Sequence, residues 1–95
     1  MAKQKMPDSL HAADTLGWAY YKLGAHDSAI AQLKECVQKA PNNPVFQYHL
    51  GMAFTAAGHR ESAAQALQKA LKNDPNFQFA ASARVTLDKI SKGPR

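Results

Sequence analysis

The chain has a single cysteine, Cys36, so no internal disulfide can close and no cysteine-based metal cage can form. Stability must therefore come from packing. No apolar run approaches the ~18 residues that span a bilayer, which argues against membrane insertion. The start Met1-Ala2-Lys3-Gln4-Lys5 lacks the apolar core of a secretory signal. A soluble protein is expected, with cytoplasm and periplasm both left open. Net charge is also scarce where it would matter. The formal charge is +5, but Lys3, Lys5, Lys92 and Arg95 lie in the terminal tails, and eight basic against seven acidic side chains between Met6 and Ser91 leave +1. A nearly neutral body points away from nucleic acid.

Several chemical signatures are missing as well. No glycine-rich phosphate loop and no catalytic serine motif occurs, so neither an enzyme nor a bound cofactor is expected. The four histidines show no i, i+4 pair of the kind that binds metal on a helix. His11 and His49, with Asp14 nearby, come closest to a mixed nitrogen and oxygen site. His26 and His59 fall at turns, and solvated histidines with no metal are the expectation. Cys36, in the alanine slot before Pro41, reads as a small core side chain, not a nucleophile.

What the chain does have is a repeat. Ninety-five residues suffice for one small domain, which buries roughly 60 to 65% of its unfolded surface. Leu16-Gly17-Trp18-Ala19-Tyr20 returns as Leu50-Gly51-Met52-Ala53-Phe54, an offset of 34 residues. Pro7, Pro41 and Pro75 fall on the same comb, as do Gly24 with Gly58, Ala29 with Ala63 and Leu33 with Leu67. Within each unit, apolar residues recur at helical spacing on both sides of a glycine, so each unit reads as two helices. The first helix is expected from about Ser9 to Leu23, capped by Asp8 or Ser9 and closed by Gly24. Asp27 is expected to cap the second helix, which ends at Pro41. Asn43 caps the third, with Pro44 in its first turn, and Gly58 ends it. The fourth runs from about Arg60 to Lys72, and a fifth from about Asn76 to Ser91 shows one apolar stripe of Ala80, Ala83, Leu87 and Ile90.

These positions resemble the tetratricopeptide repeat, whose 34-residue unit reads W-x2-L-G-x2-Y, A-x3-F, then proline. Leu16, Gly17, Tyr20, Ala29, Leu33 and Pro41 fill the first copy. Leu50, Gly51, Phe54, Ala63, Leu67 and Pro75 fill the second, while Ala13 and Gln47 replace the tryptophan. The run Asp14 to Tyr21 is similar to bacterial members. The resemblance implies an all-α fold, a right-handed α-α superhelix of two helix-turn-helix repeats plus a C-terminal capping helix. Its units are 1–8 as a tail or remnant of a preceding repeat, 9–43 and 44–77 as repeats, 78–91 as the cap and 92–95 as a tail. Pro7 stands where the other prolines end repeats, so an upstream repeat is expected. An uncovered face on the first helices would then drive self-association into a homo-oligomer.

Close approach explains the glycines: with no side chain at Gly17 or Gly51, a paired helix can pack near the backbone. Leu16, Tyr20, Leu50 and Phe54 are expected in the core. A second face, offset by one residue, is left over. It holds His11, Asp14, Trp18, Tyr21 and Lys22 on the first helix, and Val45, Tyr48, His49, Met52 and Thr55 on the third. On the fifth it continues through Phe79, Ser82, Thr86 and Lys89. In proteins of this family such faces line a concave groove that receives a peptide or a helix. Trp18, Tyr48 and Met52 read either as partner anchors or as packing between helices. The register favours anchors, because the core slots are already assigned. Chaperone-binding members grip a terminal carboxylate with lysine, asparagine and arginine. Only Lys22, His49 and Lys89 are candidates for that here, so an apolar peptide or helix is the expected partner. A structural spacer with no groove ligand is the alternative.

Overall fold

The structure is a computed structural model that describes residues 2–92, with side chains from residue 10 onward. Five helices make up the described residues: α1 (Ala2–Leu23), α2 (His26–Lys39), α3 (Pro44–Ala57), α4 (Arg60–Asn73) and α5 (Ala80–Lys92). No strand occurs among them. Each helix packs on the next, and α3 also touches α1 and α5. The odd helices thus share one side of the stack.

The turns follow from backbone chemistry. Gly24 and Gly58 adopt φ of 83° and 87°, a left-handed conformation that costs glycine little. Around Gly58, the N–H of His59 donates to the Phe54 carbonyl at 2.9 Å and that of Gly58 to Thr55 at 3.1 Å. The same two bonds join Ala25 to Tyr20 and Gly24 to Tyr21, so both helix pairs turn through one motif. Asn43 caps α3, its Oδ1 accepting from the N–H groups of Val45 and Phe46 at 2.9 and 3.1 Å. Gln47, in the tryptophan slot, is buried and donates to the Pro41 carbonyl at 3.0 Å. It ties the helix to the turn between repeats, where a tryptophan would fill volume.

The two glycines are sites of close approach. A Cβ built on Gly17 would stand 2.7 Å from Leu33 Cγ, and one on Gly51 2.7 Å from Leu67 Cγ. Both leucines are fully buried. The same register in α5 holds Val85, which is exposed.

Four expectations are corrected. Helix α1 begins at Ala2, not near Ser9. Its backbone runs through Pro7, whose missing N–H removes one hydrogen bond near the free end. Asp27 does not cap α2: Ala25 occupies the cap position, and Asp27 lies in the first turn, where its charge faces the positive end of the helix dipole. Helix α5 begins at Ala80 instead of Asn76, because Asp74 Oδ1 accepts from the Asn76 N–H at 3.0 Å, a local turn that competes with helix. Leu16 is 43% exposed while Leu50 is 6%. Leu50 clusters with Ala29 and Leu33 of α2, and no described helix lies against α1 in the equivalent place. The expected caps Asp8 and Ser9 lie outside the described side chains, and the tail from Gly93 onward lies outside the described residues. The stripe on α5 is present: Ala80 and Ala83 are buried, and Leu87 and Ile90 pack beside them.

Candidate functional site, the face of the odd helices

Helical spacing brings positions 14, 18 and 21 of α1 beside positions 45, 48 and 52 of α3. The rings they carry form a ladder. Tyr21 stacks on Trp18 with centroids 4.5 Å apart, and Trp18 stacks on His49 at 4.1 Å. Tyr48 stacks on Phe79 at 5.0 Å and meets the edge of Phe77 at 6.0 Å. Lys22 Nζ stands 6.0 Å from the Trp18 ring centroid, at the limit of a cation–π contact. Such offset and tilted pairs each add about 0.5 to 1.5 kcal/mol beyond area burial. A ring in this ladder is therefore positioned before any partner arrives.

Beneath the ladder lies a polar pair. His49 Nδ1–H donates to Asp14 Oδ1 at 2.8 Å, and both residues are under 10% exposed. Acceptance by the carboxylate fixes which imidazole nitrogen carries the proton. Tyr48 and Ser82 share a hydrogen bond of 2.8 Å from α3 to α5. Thr55 donates to the Gly51 carbonyl of its own helix at 2.8 Å.

The ten residues singled out on α1 and α3 thus have different fates. Trp18, Tyr21, Val45, Met52 and Thr55 are half-buried, and His11 and Lys22 are exposed. Asp14, Tyr48 and His49 are buried, which corrects their reading as open contact residues. Tyr48 in particular belongs to the core, with Leu67, Ala70, Phe77, Ala80 and Ala83. The cause is the loop before α5, whose Phe77 and Phe79 close over it. His11 stands apart from the ladder, against the edge of Phe46 at 6.4 Å. Asp14 and His49 do meet, but no three His, Cys, Asp or Glu side chains converge as metal ligands among the described residues.

One feature escaped sequence reasoning: Phe77, 7% exposed, sits in a turn, where helical periodicity gives no signal. Of the expected grouping of His11, His49 and Asp14, the structure brings together Asp14 and His49, 35 positions apart, and leaves His11 beside Phe46.

Cys36 is buried behind this pair, its thiol directed at the Leu10 carbonyl at 3.7 Å. Burial, with the negative charge of Asp14 adding to it, pushes the thiol from 9.0 up to about 11. Because the folded value is raised, the thiol's contribution to stability is fully present below pH 9 and is lost as pH rises towards 11. A thiol-reactive dye at pH 8 should label Cys36 at least tenfold more slowly in the folded protein than in urea. Equal rates would show that the thiol is open.

On the opposite side of the stack, a cleft of about 290 Å³ runs between α2 and α4. Val37, Leu50, Phe54 and Ala66 form its apolar lining, with the exposed Lys34 and Lys69 beside them. No described helix is long and apolar enough to cross a membrane.

Comparison with known proteins accounts for this architecture. The sequence profile of the tetratricopeptide repeat matches residues 20–85, more than half of the chain. The PEX5-related protein of Homo sapiens is 26% identical over 78 residues, which cover 82% of this chain but 12% of the human protein. The chain therefore spans a small part of that relative's length. With paired helices closed at Gly24 and Gly58, close approach at Gly17 and Gly51, and that profile match, the chain belongs to the tetratricopeptide repeat family.

Proposed function

We propose that the face of the odd helices holds an apolar peptide or a helix of a partner protein, with Trp18 as the main anchor. Tetratricopeptide repeats are protein-interaction modules, and the family supplies that general role. The observation that carries the finer reading is Trp18 itself. It is half-buried, held between Tyr21 and His49, and flanked by Met52 and Val45, which pack against the same cluster. Binding energy concentrates in rigid aromatic groups of this kind, which lose little entropy on contact. Met52 adds a flexible surface that can fit varied side chains. Asp14, Tyr48 and His49 then serve as the floor that fixes Trp18, while Tyr21, Lys22, Val45, Met52, Thr55 and His11 frame the contact.

Selection from a random-peptide display library tests this with no natural partner in hand. Selected binders should be rich in apolar residues, and Trp18→Ala should weaken them at least thirtyfold, as expected for a hot spot worth about 2 kcal/mol. Met52→Ala should weaken them less. Binders that hold the Trp18→Ala and Met52→Ala proteins as tightly as the parent would place the contact elsewhere.

A further inference from the structure

The cleft between α2 and α4 takes no part in the face of Trp18, and its side chains follow a pattern of their own. Its walls come from α2 and α4 and its floor from α3, so these three helices complete it. Leu50 and Ala66 are buried and Val37 and Phe54 half-buried, which anchors the apolar lining in the core. Ala66 stands where the first repeat has Gln32, and the smaller side chain leaves more of the space open. Around the mouth the charge has one sign. Lys34 on the α2 wall and Lys69 on the α4 wall are both exposed, and no acidic side chain among the described residues lines the cleft. Neither lysine pairs with a carboxylate among the described residues, and the neighbouring Glu35 meets Lys39 at 3.7 Å instead. Gln38 and Gln65, exposed at the same mouth, add amide donors.

We propose that this cleft binds a small amphiphilic carboxylate, a straight-chain fatty acid of medium length, with its tail on Leu50 and Phe54 and its carboxylate at Lys34 and Lys69. Charge selects the head group: two cations on opposite walls, with no anion between them, focus a positive field at the mouth of an apolar cleft. Size and polarity select the rest. At about 290 Å³ the cleft lies at the lower edge of small-molecule pockets, roughly 300 to 1,000 Å³, which suits one short chain. An α-helix, about 10 Å across with its side chains, needs more room. An extended peptide would lay its backbone N–H and C=O groups on a floor that offers them little, since the Gln47 amide there already donates to Pro41. A saturated tail brings no such groups. The cleft is open on one side, so binding is weak, with a dissociation constant of order 1 mM. It lies apart from the Trp18 ladder and leaves the proposed groove free.

Titration of octanoate into the labelled 95-residue chain, followed by chemical shifts, reads this directly. The signals of Val37, Leu50, Phe54 and Ala66 should move together and saturate, while those of Trp18 and Met52 stay in place. Octylammonium has the same tail and the opposite charge, and should bind at least tenfold more weakly. Lys34→Gln and Lys69→Gln change exposed positions and should fold normally by circular dichroism. Each should weaken octanoate by about two- to fivefold, the range of an exposed ion pair, and the double variant by about tenfold. Equal binding of octanoate and octylammonium overturns the proposal, as does a double variant that holds octanoate as tightly as the parent. So does the lack of saturation by ~20 mM octanoate, roughly twenty times the expected constant. A short acidic, leucine-rich peptide that saturates the cleft where octanoate does not would assign it to a protein segment. Cleft signals that shift when the protein alone is concentrated would assign it to a second copy. Either result overturns the proposal.

Discussion

Gly51→Leu should lower the melting temperature by roughly 10 °C or more, given about 4 to 8 °C per kcal/mol in a domain of this size. In an open helix the change would stabilise, since glycine is about 1 kcal/mol worse than alanine and leucine is among the better helix formers. Here the sign reverses. Even the first carbon of the new side chain would stand 2.7 Å from Leu67 Cγ, a branch point inside a fully buried side chain and not a free end that can swing away. Helices α3 and α4 must separate, and overpacking of this kind costs about 1 to 3 kcal/mol or more. Gly51→Ala should also destabilise, by less, even though it adds the best helix former. Against Leu67→Ala, the double mutant should lose less than the sum of the two single changes, because the clash disappears with the leucine. A Gly51→Leu protein that melts no lower than the parent would remove the close-packing account of the repeat.

Asp14→Ala is expected to cost about 3 kcal/mol, the scale of breaking one side of a buried ion pair or charge-assisted hydrogen bond. The His49 ring keeps its place under Trp18, but its Nδ1–H loses the carboxylate that accepts it. Asp14→Asn keeps an acceptor and should lose about 1 kcal/mol or less of the same stability. Cys36 gives an independent readout. Asp14 is one of the charges that raise its thiol, so both variants should move that titration back from about 11 towards 9.0. Urea melts with a parallel thiol titration check both points. Unchanged stability in Asp14→Ala would show that the pair is incidental to the floor beneath Trp18.

The parts of this molecule that were legible in the sequence are those set by the local backbone. Gly24 and Gly58 had to close helices because a left-handed turn selects glycine, and Gly17 and Gly51 had to face a neighbour because their place in the repeat admits no side chain. The periodicity of α2, α3 and α4 placed Leu33, Leu50 and Leu67 in the core, where they are. What was not legible depends on which neighbour happens to be present. Leu16 and Leu50 occupy one register, yet only Leu50 has a helix across it. Tyr48 and Trp18 occupy adjoining places on one face, yet the turn holding Phe77 and Phe79 buries Tyr48 and leaves Trp18 half open. The sequence places Asp14 near His49 on the groove face, but no single-helix pattern predicts that the two are buried together.

Helix α5 departs from the repeat. It carries Val85 where α1 and α3 carry glycine, and Asp88 where they carry Tyr20 and Phe54. Val85 and Asp88 are both exposed among the described residues. The Arg84 guanidinium, in the slot of Leu50, donates to the Pro75 carbonyl at 2.7 Å. It ties α5 back to the turn before it.

The claim on which the functional account rests is that partners meet the face of Trp18. Chemical-shift mapping of a display-selected peptide on the labelled protein tests it most directly. The Trp18 indole N–H and the Met52 methyl should shift most, with Tyr21 and Val45 next, while the signals of Phe54, Val37 and Ala66 around the opposite cleft stay in place. Shifts centred on Phe54, Val37 and Ala66, with Trp18 and Met52 unmoved, would contradict the account and assign binding to the side formed by α2 and α4.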